Sequence, residues 1–199
     1  MPPEPLGRRA RRNAQTRRAL ADAAERLFLE KGYDQVSVKE IADAVDISVP
    51  TMFRHVPDGK EAMMFDNGDE RLESLLTAVT QRPAGQSLLA ALREFLLGRG
   101  LFLIDPSPEI RRRTDLIMRT PALREYSRRL WIRCEAPLAA AIAAELGRPP
   151  EDITARAIAR YVLEIPQFVA GEPDLRAALD AIFALLEYGM HGMSRLRPP

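Results

Sequence analysis

An all-α fold is predicted, on three observations. Apolar side chains make up 46% of the chain and recur three and four residues apart instead of alternating. Proline and glycine fall mostly between these blocks, at helix-length intervals. Serine, threonine or aspartate stands where several helices would begin, in the position that caps orphan amides.

The elements follow in order. Residues 1–12 are expected to be a basic disordered arm. Residues 1–18 hold Arg8, Arg9, Arg11, Arg12, Arg17 and Arg18 against one acid, Glu4, so a charge of +5 precedes a remainder of −4. Basic arms of this kind bind nucleic-acid phosphates. A first helix, 13–31, carries the stripe Leu20, Ala23, Ala24, Leu27, Phe28 and ends at Gly32. Ser37 and Glu40 form a capping box that opens a second helix, 38–45, with Val38, Ile41, Ala42 and Val45 inward. Asp46 stands where the turn needs left-handed backbone, and Ile47 plugs the corner. Ser48 caps a third helix, 49–56. Pro50 is tolerated in its first turn, Met52 and Val56 face inward, and Val49, Thr51, Arg54 and His55 face outward. Two short helices across a tight turn, the second with a hydroxyl, an arginine and a histidine exposed, are the layout of a helix-turn-helix.

Pro57-Asp58-Gly59 make a turn, and Asp58 with Glu61 is a second capping pair for a linking helix, 60–81. Pro83-Ala84-Gly85 break it. Helices are then expected at 87–103, 109–119 (strongly basic, with Arg111-Arg112-Arg113 read as a solvated face), 120–146, 152–169 and 173–193. Thr120-Pro121 is a strong start signal and Gly147 a stop. Pro137 and Pro166 fall inside helical patterns, and each displaces the carbonyl four residues earlier, Arg133 and Val162. The expected division is a 1–12 arm, a 13–59 helix-turn-helix domain and a 60–199 helical domain.

The segments Leu27-Phe28-Leu29-Glu30-Lys31-Gly32-Tyr33, Ser37-Val38-Lys39-Glu40-Ile41-Ala42, Thr51-Met52-Phe53-Arg54-His55-Val56 and Lys60-Glu61 together resemble the DNA-binding domain of the TetR family of transcriptional regulators. The likeness spans about residues 13–64; beyond it, the resemblance is architectural. The chain departs from the family pattern with Asp46 in place of glycine, with Pro50-Thr51-Met52-Phe53 in place of Gly-Thr-Leu-Tyr, and with a turn one residue longer at 57–59. Phe53 therefore lacks the hydroxyl that often meets a phosphate.

The resemblance implies a homodimeric regulator, by prior a repressor, that leaves a near-palindromic double-stranded DNA operator when a small effector binds. Val49, Thr51 and Arg54 are the candidates for base contact, because Arg pairs with guanine O6 and N7 and the methyls of Val and Thr meet thymine methyls. Arg11, Arg12, Ser37, Lys39, Ser48, His55 and Lys60 are the candidates for the DNA backbone. Around the two prolines, a mostly apolar effector pocket is expected from Phe95, Phe102, Ile117, Met118, Tyr126, Leu130, Trp131, Arg133, Cys134, Tyr161, Glu164, Ile165, Gln167 and Phe168. The last two helices are apolar around most of their circumference, so one face packs on the domain and the other on a second copy. Ile158, Val162, Leu175, Leu179, Ile182, Phe183, Leu186 and Met190 are the candidates for that dimer interface.

Other classes are disfavoured. No segment reaches the ~18 apolar residues of a membrane span, and no apolar stretch follows the N-terminal arginines as a secretory signal requires, so a cytoplasmic protein is expected. The single Cys134 excludes an intrachain disulfide, and His55 and His191 lie too far apart for a zinc site. No metal, cofactor or catalytic motif is expected, which argues against an enzyme. The alternative is a DNA-binding protein of the same fold without a small effector, controlled by a protein partner or acting architecturally.

Overall fold

The computed structural model describes residues 7–65 and 68–193, the last four by their backbone alone. Every regular element among them is helical: α1 (Arg8–Lys31), α2 (Val38–Ala44), α3 (Val49–His55), α4 (Asp69–Thr80), α5 (Leu88–Leu97), α6 (Pro108–Arg119), α7 (Pro121–Ile132), α8 (Glu135–Glu145), α9 (Ile153–Phe168) and α10 (Leu175–Met193). Short 3-10 turns lie at Tyr33–Gln35, Glu61–Met64 and Gly100–Phe102.

The chain forms two compact units, and neither is one continuous stretch. Among the described residues, 111–127 join the N-terminal unit, which runs to residue 65; residues 68–110 and 128–193 form the other. The expected division at 59/60 places 60–65 on the wrong side. Met63 and Met64 are buried in the core around Leu20, Phe28, Ile41 and Met52, and Leu123 of α7 is fully buried there too. The second core gathers Leu75, Leu92, Leu96, Leu138, Ile142, Ala159, Val162, Ile165 and Leu179.

Four expected elements take another form. Residues 8–12 are not a disordered arm but the first turns of α1. Arginine and alanine are strong helix formers, and no glycine or proline interrupts 8–31. Residues 1–6 lie outside the described residues. The linking helix 60–81 is not continuous: a 3-10 turn ends at Phe65, whose backbone is extended, and α4 starts after Gly68 at φ 86°. Of the expected capping pair, Asp58 accepts a bond from Tyr126 Oη (3.1 Å) and Glu61 accepts one from Tyr33 Oη. The 87–103 helix stops at Leu97 because Gly98 and Gly100 weaken its end. The 120–146 helix divides into α7 and α8 at Arg133-Cys134, where Pro137 cannot donate to the Arg133 carbonyl. Pro166 instead stays within α9, which runs two residues further. Gly189 kinks α10 at φ 62°.

Candidate nucleic-acid interface

The reading helix is built from its ends. The Ser37–Glu40 capping box fixes α2: Ser37 N–H donates to Glu40 Oε2 (2.9 Å) and Glu40 N–H to Ser37 Oγ (3.1 Å). The Ser37 bond, then Lys31 at 3.0 Å, holds the Glu40 carboxyl down to about 2. Asp46 takes φ 55° in the turn, as the sequence requires. Ser48 Oγ then accepts the Thr51 amide (3.3 Å) and starts α3.

Met52 is fully buried and Val56 nearly so, which fixes the orientation of α3. At 100° per residue Arg54 lies diametrically away from them and is exposed. Its Nη2 donates to Thr51 Oγ1 (3.0 Å), which in turn meets Ser48 Oγ (2.9 Å). These three side chains form one hydrogen-bonded line along the exposed face. It uses one of the five guanidinium donors of Arg54 and leaves the rest for a base edge or a phosphate. Val49, by contrast, is half-buried and packs against the core. Phe53 is 41% exposed beside Arg54.

The expected backbone contacts separate into two groups. Lys39 is exposed at the start of α2, paired with Asp43 (2.6 Å), and His55 is half-buried. Lys60 points inward. Its ammonium donates to the carbonyls of Tyr33 (3.0 Å) and Val36 (2.9 Å) and lies 3.9 Å from the Tyr33 ring centre, so it clamps the 3-10 turn and is not presented to a phosphate. The hydroxyls of Ser37 and Ser48 are engaged as caps. Arg11 and Arg12 are exposed on α1.

Sequence reasoning missed a groove of about 760 Å³ in this unit, in which Asn13, Arg17 and Arg18 of α1 share a wall with Arg54 and His55 of α3. Arg113 also lines it, bonded to Glu25 and to the Met64 carbonyl. Arg113 is thus a packing residue, while Arg111 and Arg112 are exposed. Nothing in a run of three arginines distinguishes the one that turns inward.

The fourteen pocket candidates do not share one environment. Ile117, Met118 and Tyr126 belong to the N-terminal unit, where the Tyr126 ring stacks on Phe65. In the second unit Phe102, Leu130, Cys134 and Ile165 are buried. Burial pushes the Cys134 thiol up. Arg133 is exposed and Gln167 half-buried, and Glu164 is held by Arg128 (2.8 and 2.5 Å). Phe95 meets Trp131 edge-on at 6.2 Å. Arg71 lies over the Trp131 face (5.0 Å) and Arg99 over Phe95 (4.7 Å), two arginines the sequence did not single out.

Three of the dimer candidates need correcting. Val162, Leu179 and Phe183 are buried in their own core, and Ile158, Leu175, Ile182 and Leu186 pack against it. The side chain of Met190 lies outside the described residues. The outward large apolar residues are others: Ile153 (70% exposed), Tyr161 (54%) and Phe168 (57%) on α9, Leu185 (40%) and Tyr188 (59%) on α10. Both faces of these helices are apolar, so periodicity could not say which was inward.

A capped helix presenting an arginine opposite its buried face, in a wholly helical unit, defines a helix-turn-helix DNA-binding protein. Residues 20–66 match the family model for bacterial regulatory proteins of the tetR family, and residues 86–191 match that of the MftR C-terminal domain. The HTH-type transcriptional regulator TcmR of Streptomyces glaucescens is 34% identical over 187 residues, covering 89% of this chain and 81% of that protein. The HTH-type transcriptional repressor Rv1474c of Mycobacterium tuberculosis is 34% identical over 83 residues, 42% of each chain. A crystal structure from Mesorhizobium loti assigned to the TetR family shares the fold, with a TM-score of 0.52 at 18% identity over 90% of this chain and 97% of that one. The chain belongs to the TetR family and is a DNA-binding transcriptional regulator. That is not an enzyme class. No helix among the described residues is long and apolar enough to cross a membrane.

Proposed function

We propose that the protein is a cytoplasmic homodimeric repressor that leaves a near-palindromic operator when a small, largely apolar effector binds. The Ser48–Thr51–Arg54 line on α3 carries the DNA half of this reading: a guanidinium held in place before contact, opposite the buried Met52, is arranged for a base edge. Thr51 is itself committed to Arg54, and Val49 can offer only the part of its side chain that the core leaves open. Lys39, His55, Arg11 and Arg12 supply the backbone contacts.

Dimerisation is supported by the apolar residues that α9 and α10 leave in solvent, Tyr161, Phe168, Leu185 and Tyr188. The effector reading is supported by the half-buried Phe95–Trp131 pair with Arg71 and Arg99 over its rings. A ligand bound there releases DNA only to the extent that it favours the conformation in which the two reading helices are wrongly spaced.

Trp131 is the only tryptophan, so the test is direct. The best duplex from a random pool is bound to the protein, metabolite fractions are added, and DNA anisotropy and Trp131 emission are followed together. The reading predicts a fraction that changes the emission and releases the duplex at the same concentration. Fractions that do neither, with no rise in Tm, favour a regulator without a small effector.

A further inference from the structure

We propose that the first three turns of α1 are a rigid arginine rail that lies along the sugar–phosphate backbone flanking each half-site, and not a tail that orders on contact. The first buried residue of α1 is Leu20, so residues 8–19, about 18 Å of helix, place no fully buried side chain in the core. Within this stretch Arg8, Arg11, Arg12, Gln15 and Arg18 fall in one third of the circumference, spread over about 15 Å of rise. No acid stands in the first turn, and the first along the helix is Asp22.

Such a helix is built against its own electrostatics. Arginines three and four residues apart repel, and positive charge near a helix N-terminus is unfavourable. A polyanion relieves both. Alanine at 10, 14 and 19 and the strong helix propensity of arginine hold the helix until then. The groove fixes where the rail leads. Arg17 and Arg18 share it with Arg54 and His55, so the inner end of the rail stands beside the reading helix and Arg8 lies about 15 Å further along. At 3.4 Å per base pair that reach covers about 4 base pairs.

The inference rests on DNA binding, and the experiment separates the two. Affinity is measured on the selected duplex with flanks of different length, across a range of salt. The wild type should gain affinity as each flank grows to about 4 base pairs and little beyond. Arg8→Gln, Arg11→Gln, Arg12→Gln and Arg18→Gln together should abolish that gain and make the slope of log affinity against log salt shallower by about 3–4. Ala14→Pro keeps every charge but interrupts the rail, and should remove most of the gain and lower the slope by about 2–3. The Asn13→Gly, Ala14→Gly pair loosens the helix without the ring and should fall between. A normal flank gain in Ala14→Pro overturns the rail in favour of a flexible tail, and an unchanged slope in the four-arginine variant overturns contact altogether. A wild type that prefers no duplex defeats the DNA reading itself.

Discussion

Two surfaces of this molecule are exposed for opposite reasons. Along α3 a polar line stands outward, Ser48 bonded to Thr51 and Thr51 to Arg54, with Phe53 beside it. On α9 and α10 the outward side chains include Ile153, Tyr161, Phe168, Leu185 and Tyr188, large and apolar, among charged neighbours. The first surface loses little by standing in water and gains from a partner rich in acceptors. The second is costly to leave in water and gains from any partner that covers it. On the proposed reading, specificity therefore resides in the N-terminal unit and the pairing that doubles it in the C-terminal one.

That contrast is broken most severely from the apolar side. Phe168→Glu with Tyr188→Glu should leave the fold intact, because both residues are exposed in the single chain. Sedimentation at micromolar concentration should show the mass of one chain, and operator affinity should fall by about 10²–10⁴ as avidity is lost. A dimer that survives both changes places the interface elsewhere.

Lys60 sharpens the polar side. Lys60→Met strips a charged donor from the Tyr33 and Val36 carbonyls and should cost about 1.5–3 kcal/mol in urea denaturation. The salt dependence of DNA binding should stay the same. A shallower salt slope without loss of stability would return Lys60 to the phosphates.

Arg54→Ala should cost about 1–3 kcal/mol on the best operator and relax preference at one base position, leaving random DNA less affected. Equal losses on both would mean that Arg54 meets only the backbone.

The smallest effect is on pH. The carboxyl of Glu40 is depressed from 4.5 to about 2 by the Ser37 bond and Lys31. A depressed acid stabilises the fold fully above the unfolded value and loses that contribution as pH falls through the folded one. Stability should therefore decline between about pH 4.5 and about pH 2, and Glu40→Gln should flatten that limb. An unchanged acid limb would show that ionisation of Glu40 contributes nothing to the fold.

The helix-turn-helix was legible because local chemistry fixes it. Ser37 with Glu40, Asp46 at positive φ and Ser48 are decided within four residues, and the structure shows each as read. What depends on packing between distant residues was not legible. Lys60 sits on the reading unit's sequence as a phosphate-facing lysine does, yet two carbonyls 24 and 27 residues earlier draw it inward. Pro137 and Pro166 look alike in sequence, but one divides a helix and the other stays within one. Ile158 and Tyr161 both suit an apolar face, and only the placement of α9 on its core leaves Tyr161 outside. The basic segment 8–12 was read as a tail because charge suggested disorder, while its helix propensity argued the other way.

The central claim is that two copies of α3 read DNA side by side. Selection of duplexes from a random pool, with the bound strands then footprinted, tests it most directly. The account predicts an enriched inverted repeat whose half-site centres lie about 34–36 Å apart, or a multiple of that, with protection in successive major grooves. An enriched single half-site bound with no dependence on a second, or a pool with no enriched sequence at all, would contradict it.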